Sequence, residues 1–237
     1  DLFGSLTTVI EMDPFEFLEK IAPMMDSRTP EYPRTWEALS KNIPQAVFPY
    51  SEMSAIGKVI NHLPTSCSLH LANSSTVRYA QLFPLPNDVE VLSNRGTNGI
   101  EGSLSTAIGY ATASDKLNFI FIGDLSFFYD QNALWNRNLN GKLRIIVLNN
   151  GGGAIFGKFQ GLKESQAREE MVMAKHHATA EGICSQNEVK YLAAHTMEEM
   201  EQGICQLIHA ESERPMLLEI FTDMDVDNEM LEAIQKC

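Results

Sequence analysis

NFIFIGDLSFFYD (Asn118–Asp130) and LRIIVLNNGGGAIF (Leu143–Phe156) are the two stretches on which the fold turns. Each opens with an apolar run that scarcely alternates with polar residues, as parallel strands do when helices cover both faces. Outward from these, Ser68–Ala72, Val89–Leu92, Val189–Ala193 and Met216–Phe221 read as four more strands. Helix-like spacing of apolar residues marks Ser51–Leu63, Ser74–Phe83, Gly102–Ala113, Phe127–Asn138, Gln166–Gly182, Met197–Glu211 and Val226–Lys236. The repeated β-then-α order predicts an α/β fold, a doubly wound and mainly parallel sheet with helices on both faces. The first forty-odd residues differ. Pro14, Pro23, Pro30, Pro33 and Pro44 interrupt short helical pieces such as Phe15–Ile21 and Thr35–Lys41. Residues 1–45 are therefore expected to form a linker or the tail of a preceding central domain, and residues 46–237 the main domain.

Composition narrows the function. The 237 residues hold 18 Lys and Arg against 31 Asp and Glu, a net charge of −13. No basic run offers a footprint for a polyphosphate backbone, so nucleic acid is not an expected partner. No apolar window is long enough to cross a bilayer, and Asp1–Glu11 lacks the order of a signal peptide, so a cytoplasmic protein without membrane contact is expected. The chain begins at Asp1 without methionine and reads as part of something longer. Cys67, Cys184, Cys205 and Cys237 are scattered, which suits reduced structural thiols better than a zinc site or a disulfide framework.

In an open α/β sheet ligands bind beyond the carboxyl ends of the strands. Four loops stand there: ANSSTVR (Ala72–Arg78), SNRGTNGIEG (Ser93–Gly102), GDLSFFYD (Gly123–Asp130) and NNGGGAIF (Asn149–Phe156). In the last two, Asp124 offers a carboxylate that should point out of the sheet rather than into the core. Asn149 and Asn150 offer amide oxygens, and Gly151–Gly153 bare backbone carbonyls. A carboxylate, an amide and a carbonyl make half an octahedron for Mg²⁺, which completes its shell with water and phosphate oxygens. Singly, Gly-Asp is a tight turn and Asn-Asn-Gly a loop. Elsewhere, DMDVDN (Asp223–Asn228) lacks the glycine and the terminal glutamate of a calcium loop. His176 and His177, adjacent on a predicted helix, would point in different directions. Gly96, Gly99 and Gly102 do not follow the dinucleotide-binding order.

Asp124 and Asn149 lie 25 positions apart with one predicted helix between them. That spacing resembles the fingerprint of the thiamine-diphosphate-dependent enzymes, although Leu125 stands where the family often has glycine. SNRGTNGIEGSLSTAIGYA, IGDLSFFYDQNAL and IIVLNNGGGAIF are similar to one branch of that family, which joins 2-oxoglutarate to isochorismate in menaquinone biosynthesis. The likeness is strong from Leu69 to Phe159 and weaker to the C-terminus, and it covers only the C-terminal part of those enzymes. It implies that residues 46–237 bind thiamine diphosphate with Mg²⁺ or Mn²⁺, held by Asp124, Asn150 and the Gly152 carbonyl. Ser74, Gly123, Leu125 and Ser126, which would open a helix, are implied to line the diphosphate; Ser74 reads equally as a helix N-cap. Ile100 is implied to lie beneath the thiazolium, though a loop residue between glycines can equally be tucked into the core. Arg78 and Arg95 are implied to anchor substrate carboxylates and, with Ile100, form the implied catalytic set; a surface salt bridge is the alternative for either arginine. Ile155 and Phe156 are implied to form an apolar wall around the substrate and the thiazolium, Ile155 touching the cofactor, or, read without the family, core contacts.

The resemblance further implies decarboxylative carboligation of 2-oxoglutarate with isochorismate, in a homodimer or homotetramer. The activating glutamate would lie on a pyrimidine-binding domain that no segment here resembles, so Glu101 is not assigned that role and the chain by itself is expected to show no turnover. A related 2-oxoacid decarboxylase, an acetolactate-type carboligase and a non-catalytic nucleotide-binding α/β module are the competing expectations.

Overall fold

Six strands, β1 (Ser68–Leu71), β2 (Glu90–Ser93), β3 (Asn118–Gly123), β4 (Leu143–Asn149), β5 (Lys190–Ala194) and β6 (Met216–Phe221), form one sheet in the order β2-β1-β3-β4-β6-β5. Every neighbouring pair is parallel. A computed structural model describes residues 4–25, 31–41, 48–158, 161 and 164–235. Two compact units divide the chain, Asp1–Ala46 and Val47–Cys237. The expected domain boundary at residues 45–46 lies outside the described residues, as does Lys236.

The first unit contains α1 (Pro14–Ile21) and α2 (Glu31–Lys41). Asp13 starts α1 by accepting the amides of Phe15 and Glu16 at 2.9 and 3.2 Å, with Pro14 in the first turn where its missing N–H costs nothing. No described residue of this unit is buried.

The second unit holds the sheet and its two helical layers. Side chains alternate across each strand, so Phe119 and Phe121 of β3 enter one core while Ile120 and Ile122 enter the other. The first core is completed by α3 (Glu52–His62), α4 (Ser75–Ala80) and α8 (Met197–His209). The second is completed by α5 (Ser103–Ala113), α6 (Asp124–Tyr129) and α7 (Glu181–Gln186). α9 (Met224–Gln235) follows β6. No helix among the described residues is long and apolar enough to cross a membrane.

Two expected helices come out differently. Phe127–Asn138 is instead α6, which opens at Asp124, and a separate 3₁₀ turn at Gln131–Trp135. Ser126 therefore lies inside the first turn of α6 and does not begin it. α6 ends at Asp130, whose backbone leaves the helical conformation and whose carboxylate is held by α5, accepting the backbone N–H and the hydroxyl of Ser105 at 2.8 and 2.9 Å. Gln166–Gly182 is not one helix. It has a single wide turn at Arg168–Val172, an irregular stretch with Ala174 at φ +48°, and α7 only from Glu181. Its backbone is bonded to the glycine loop after β4: Gly153 donates to the Met173 carbonyl at 2.7 Å and His176 to the Gly151 carbonyl at 3.0 Å. Those bonds replace the helical ones.

Strand register sets the site. Gly123 pairs with Leu148, and Asn149 with Phe221, so β3, β4 and β6 end at nearly the same level. The connections from β1 and β3, which are neighbours, leave the sheet in opposite directions, and that divergence opens a crevice at the carboxyl ends.

Candidate functional site

Asp124 is the first residue past β3, and its carboxylate is clasped by backbone. Oδ1 accepts the Leu125 N–H at 2.6 Å, while Oδ2 accepts those of Gly151 and Gly152, each at 2.9 Å. The sequence led us to expect a carboxylate pointing out of the sheet, yet Asp124 is only 4% exposed. The glycine loop folds over it, and the amide donors compensate the loss of water. Gly152 makes this possible with φ +151°, a conformation all but reserved to glycine; a Cβ there would stand 2.7 Å from the Met173 carbonyl oxygen. His176 Nε2 approaches Oδ2 to 3.2 Å without hydrogen-bond alignment. The neighbouring carboxylate raises the pKa of the His176 imidazole against the opposing effect of burial. The divergence of His176 and His177 is as expected, although no helix produces it: His176 turns inward and His177 is exposed.

Asn149 and Asn150 face different partners. Asn149 donates to Glu219 Oε1 at 2.7 Å and to the Ala178 carbonyl at 3.0 Å, and its Oδ1 accepts the Gly151 amide at 3.1 Å. It shapes the loop. Asn150 donates through Nδ2 to Glu52 Oε1 at 3.0 Å, and its Oδ1 is buried with no hydrogen-bond partner. Glu52 and Asp227 form an acidic pocket behind it. Asp227 accepts the Glu52 backbone N–H at 2.7 Å and the Thr222 hydroxyl at 2.6 Å. Burial, with Asp227 and Asp124 close by, pushes the Glu52 carboxyl well above its ordinary range. Burial also lifts Asp227 to about 6, against the pull of hydrogen bonds from Thr222, Glu52 and Asn150.

The rim is built from the loops after β1 and β2. Ser74 sits at φ +79° at the head of α4 without capping it, so the N-cap position is filled but its usual bond is absent. A positive φ in a non-glycine residue costs about 1–3 kcal/mol and persists only where the surroundings impose it. Asn73 ties the two loops together, accepting Arg95 Nη1 at 2.8 Å and donating to the Gly99 carbonyl at 3.1 Å. The Ser126 hydroxyl donates to the Ile100 carbonyl, so the loop carrying Ile100 is held from both ends. Ile100 is 40% exposed, not tucked into the core. Arg78 is exposed on α4, and neither it nor Arg95 forms an ion pair among the described residues. Ile155 is half-buried and Phe156 exposed, in the tight turn just after the glycine loop. Gly123 ends β3 beside Leu125 and Ser126. The structure thus joins Asp124 to the loop of Asn150 and Gly152, and Ser126 to Ile100, while Arg78 stands apart on its helix. A cleft of about 510 Å³ is lined by Asn150, Gly151, Lys175, His176 and Thr222 and not by the Ser74 and Ile100 rim.

Among the described residues no three His, Cys, Asp or Glu side chains could together hold a metal ion. A cation would depend on mixed oxygen donors, and those present fit one. Asp124 Oδ1 has accepted only one amide, the Asn150 Oδ1 lacks any partner, and the Gly152 carbonyl belongs to the same turn. Hard oxygens of these three kinds suit Mg²⁺ or Mn²⁺. Glu52 and Asp227 were not singled out from sequence. Glu52 reads as an ordinary first-turn acid of a helix, and the amide that donates to it belongs to Asn150, 98 positions away. Asp227 could have been reached by questioning the loop after β6 as the other loops were, since β6 proves to be the neighbour of β4.

Residues 73–220 match the family described as thiamine pyrophosphate enzyme, C-terminal TPP binding domain. The chain is similar to proteins named 2-succinyl-5-enolpyruvyl-6-hydroxy-3-cyclohexene-1-carboxylate synthase. That of Bacteroides thetaiotaomicron is 55% identical over 233 residues, covering 98% of this chain and 42% of the relative. That of Bacteroides fragilis is 54% identical over 234 residues, with the same coverage. That of Cytophaga hutchinsonii is 32% identical over 244 residues, covering 100% of this chain and 43% of the relative. The chain spans less than half the length of these relatives. With the matched region running from the end of β1 into β6 and enclosing the clasped carboxylate and the glycine loop, the chain belongs to the thiamine pyrophosphate enzymes, whose C-terminal TPP-binding domain it carries.

Proposed function

We propose that this chain is the diphosphate- and metal-holding part of a cytoplasmic, thiamine-diphosphate-dependent 2-succinyl-5-enolpyruvyl-6-hydroxy-3-cyclohexene-1-carboxylate synthase of menaquinone biosynthesis. Its substrates are 2-oxoglutarate and isochorismate. The bound cofactor supplies the electron sink that decarboxylation of a 2-oxoacid requires. This chain holds and orients. Asp124, Asn150 and the Gly152 carbonyl would hold Mg²⁺ or Mn²⁺, and Ser74, Gly123, Leu125 and Ser126 would line the diphosphate. Ile100 would support the thiazolium ring. Arg78 and Arg95 receive the carboxylates of two multiply charged acids, which accounts for guanidinium groups that form no ion pair among the described residues of so acidic a protein. Ile155 and Phe156 keep water from the reacting carbons. Residues 1–45 lead in from a preceding domain, and the site is completed by a pyrimidine-binding domain in a homodimer or homotetramer.

The observation that carries the metal and cofactor assignment is the buried, partnerless Asn150 Oδ1, one residue before the Gly151 amide that clasps the Asp124 carboxylate. The names of the relatives support the choice of reaction. The test is turnover by the intact enzyme that contains this chain. Carbon dioxide release from 2-oxoglutarate should require thiamine diphosphate, a divalent cation and isochorismate, and should fall at least a hundredfold in Arg95→Met with little change in cofactor affinity. Equal use of pyruvate in place of 2-oxoglutarate would favour an acetolactate-type enzyme and defeat the substrate assignment.

A further inference from the structure

We propose that Glu52 is a positioning residue that turns the Asn150 amide so that its oxygen faces the divalent ion. The inference rests on the metal reading above. An asparagine amide has two nearly equivalent orientations related by a half-turn, and only the one with oxygen forward can ligate a cation. Something must choose between them. Here the nitrogen side meets Glu52 Oε1 at 3.0 Å, and Asp227, which accepts the Glu52 backbone N–H at 2.7 Å, holds Glu52 in place. With the Glu52 carboxyl group taking its hydrogen, the amide leaves Oδ1 buried and without a partner.

Glu52 is itself fixed. It is the first residue of α3, a helix started by the reciprocal Ser51–Ser54 capping box, and its backbone N–H is bonded to Asp227, which Thr222 anchors at the end of β6. Its side chain is buried, so water cannot take over as the acceptor. Glu52 does not touch the ion in this scheme. It acts only through Asn150.

The test is a Mn²⁺ titration of the intact enzyme at saturating thiamine diphosphate, with free Mn²⁺ read by electron paramagnetic resonance. Glu52→Met keeps the length and helix preference of the side chain without its acceptor, and Glu52→Ala serves as a second removal. Both should raise the Mn²⁺ dissociation constant tenfold or more, in the range seen when an outer partner of a metal ligand is removed. Glu52→Gln retains an acceptor oxygen for the Asn150 amide and should stay within about threefold of wild type. Asn150→Asp should bind weakly because two carboxylates then face each other. Adding Glu52→Gln to it should restore affinity, since the glutamine amide can donate to the new carboxylate; a role in stability alone would give no such pairwise rescue. Wild-type affinity in Glu52→Met and Glu52→Ala, with Asn150→Ala weakened, would overturn the positioning role and leave the metal reading intact. Equal loss in Glu52→Gln and Glu52→Met would overturn it as well, because charge rather than orientation would be responsible. Unchanged Mn²⁺ binding in Asn150→Ala would instead remove the metal reading itself.

Discussion

Replacing Gly152 by alanine tests whether the loop over Asp124 is as constrained as its geometry implies. At φ +151° an alanine is strained by about 1–3 kcal/mol whatever the space around it. Space is also lacking, because the new methyl carbon would lie 2.7 Å from the Met173 carbonyl oxygen and 3.3 Å from the Lys175 Cα. That carbonyl is backbone and cannot swing aside as a side chain would. Moving it breaks the 2.7 Å bond from Gly153, a further loss of about 1 kcal/mol. The sum is a destabilisation of about 2–4 kcal/mol, or a fall in Tm of roughly 5–15 °C for a unit of this size. Urea unfolding followed by circular dichroism measures it. Gly109→Ala is the control: Gly109 lies within α5 and a Cβ there has nothing within 4 Å, so it should gain about 0.5–1 kcal/mol. A loss below about 1 kcal/mol in Gly152→Ala, at unchanged denaturant slope, would mean that the loop relaxes freely and that its glycine is not required by this geometry.

Two further predictions concern buried carboxyl groups. Asp227 holds its proton more tightly when folded, with a pKa of about 6 against an ordinary 3.8, so its contribution to stability is present below about pH 4 and lost as pH rises to about 6. Asp227→Asn, which cannot ionise, should therefore gain on wild type by an amount on the order of 2–3 kcal/mol between those limits; urea titrations at pH 4 and pH 7 that give the same difference would contradict this. Glu219 accepts from Asn149, the Ala180 amide and the Tyr191 hydroxyl at 2.7, 2.9 and 2.7 Å. Glu219→Gln sets an N–H against one of those donors and should cost about 1–3 kcal/mol, with faster hydrogen exchange at residues 176–180. Wild-type exchange there would show that Glu219 does not pin this segment.

All six strands could be read from sequence as apolar runs, most plainly β3, β4 and β6, whose two faces both enter cores, whereas β2 is largely exposed; the pairing of Asp124 with the Asn149–Gly153 loop was legible from spacing. Strand order was not. Nothing local in Met216–Phe221 says that it lies beside β4 rather than at an edge, so Thr222, in the loop after it, and Asp227, in the first turn of α9, were not connected to the site. The Gln166–Gly182 stretch has helical periodicity, and a local pattern cannot know that the bared amides and carbonyls of Gly151 and Gly153 will claim its backbone. The buried state of Asp124 escaped for the same reason: its amide donors come from residues 27 and 28 positions further on. Ser74 illustrates the reverse case. Its place at the head of a helix was correct, but its strained φ arises from tertiary constraints that no cap preference encodes.

The ties around Asn149 and Asn150 also bear on the order of assembly. They reach back 98 positions to Glu52 and forward 70 to Glu219, while Glu52 depends on a residue 175 positions beyond itself. Contacts this distant in sequence close late, since their entropy of closure falls due before any of them is rewarded. A nascent chain would thus hold most of its sheet before it could present an ion-binding loop, and its capacity for cofactor would be acquired only when the last strand and helix have docked.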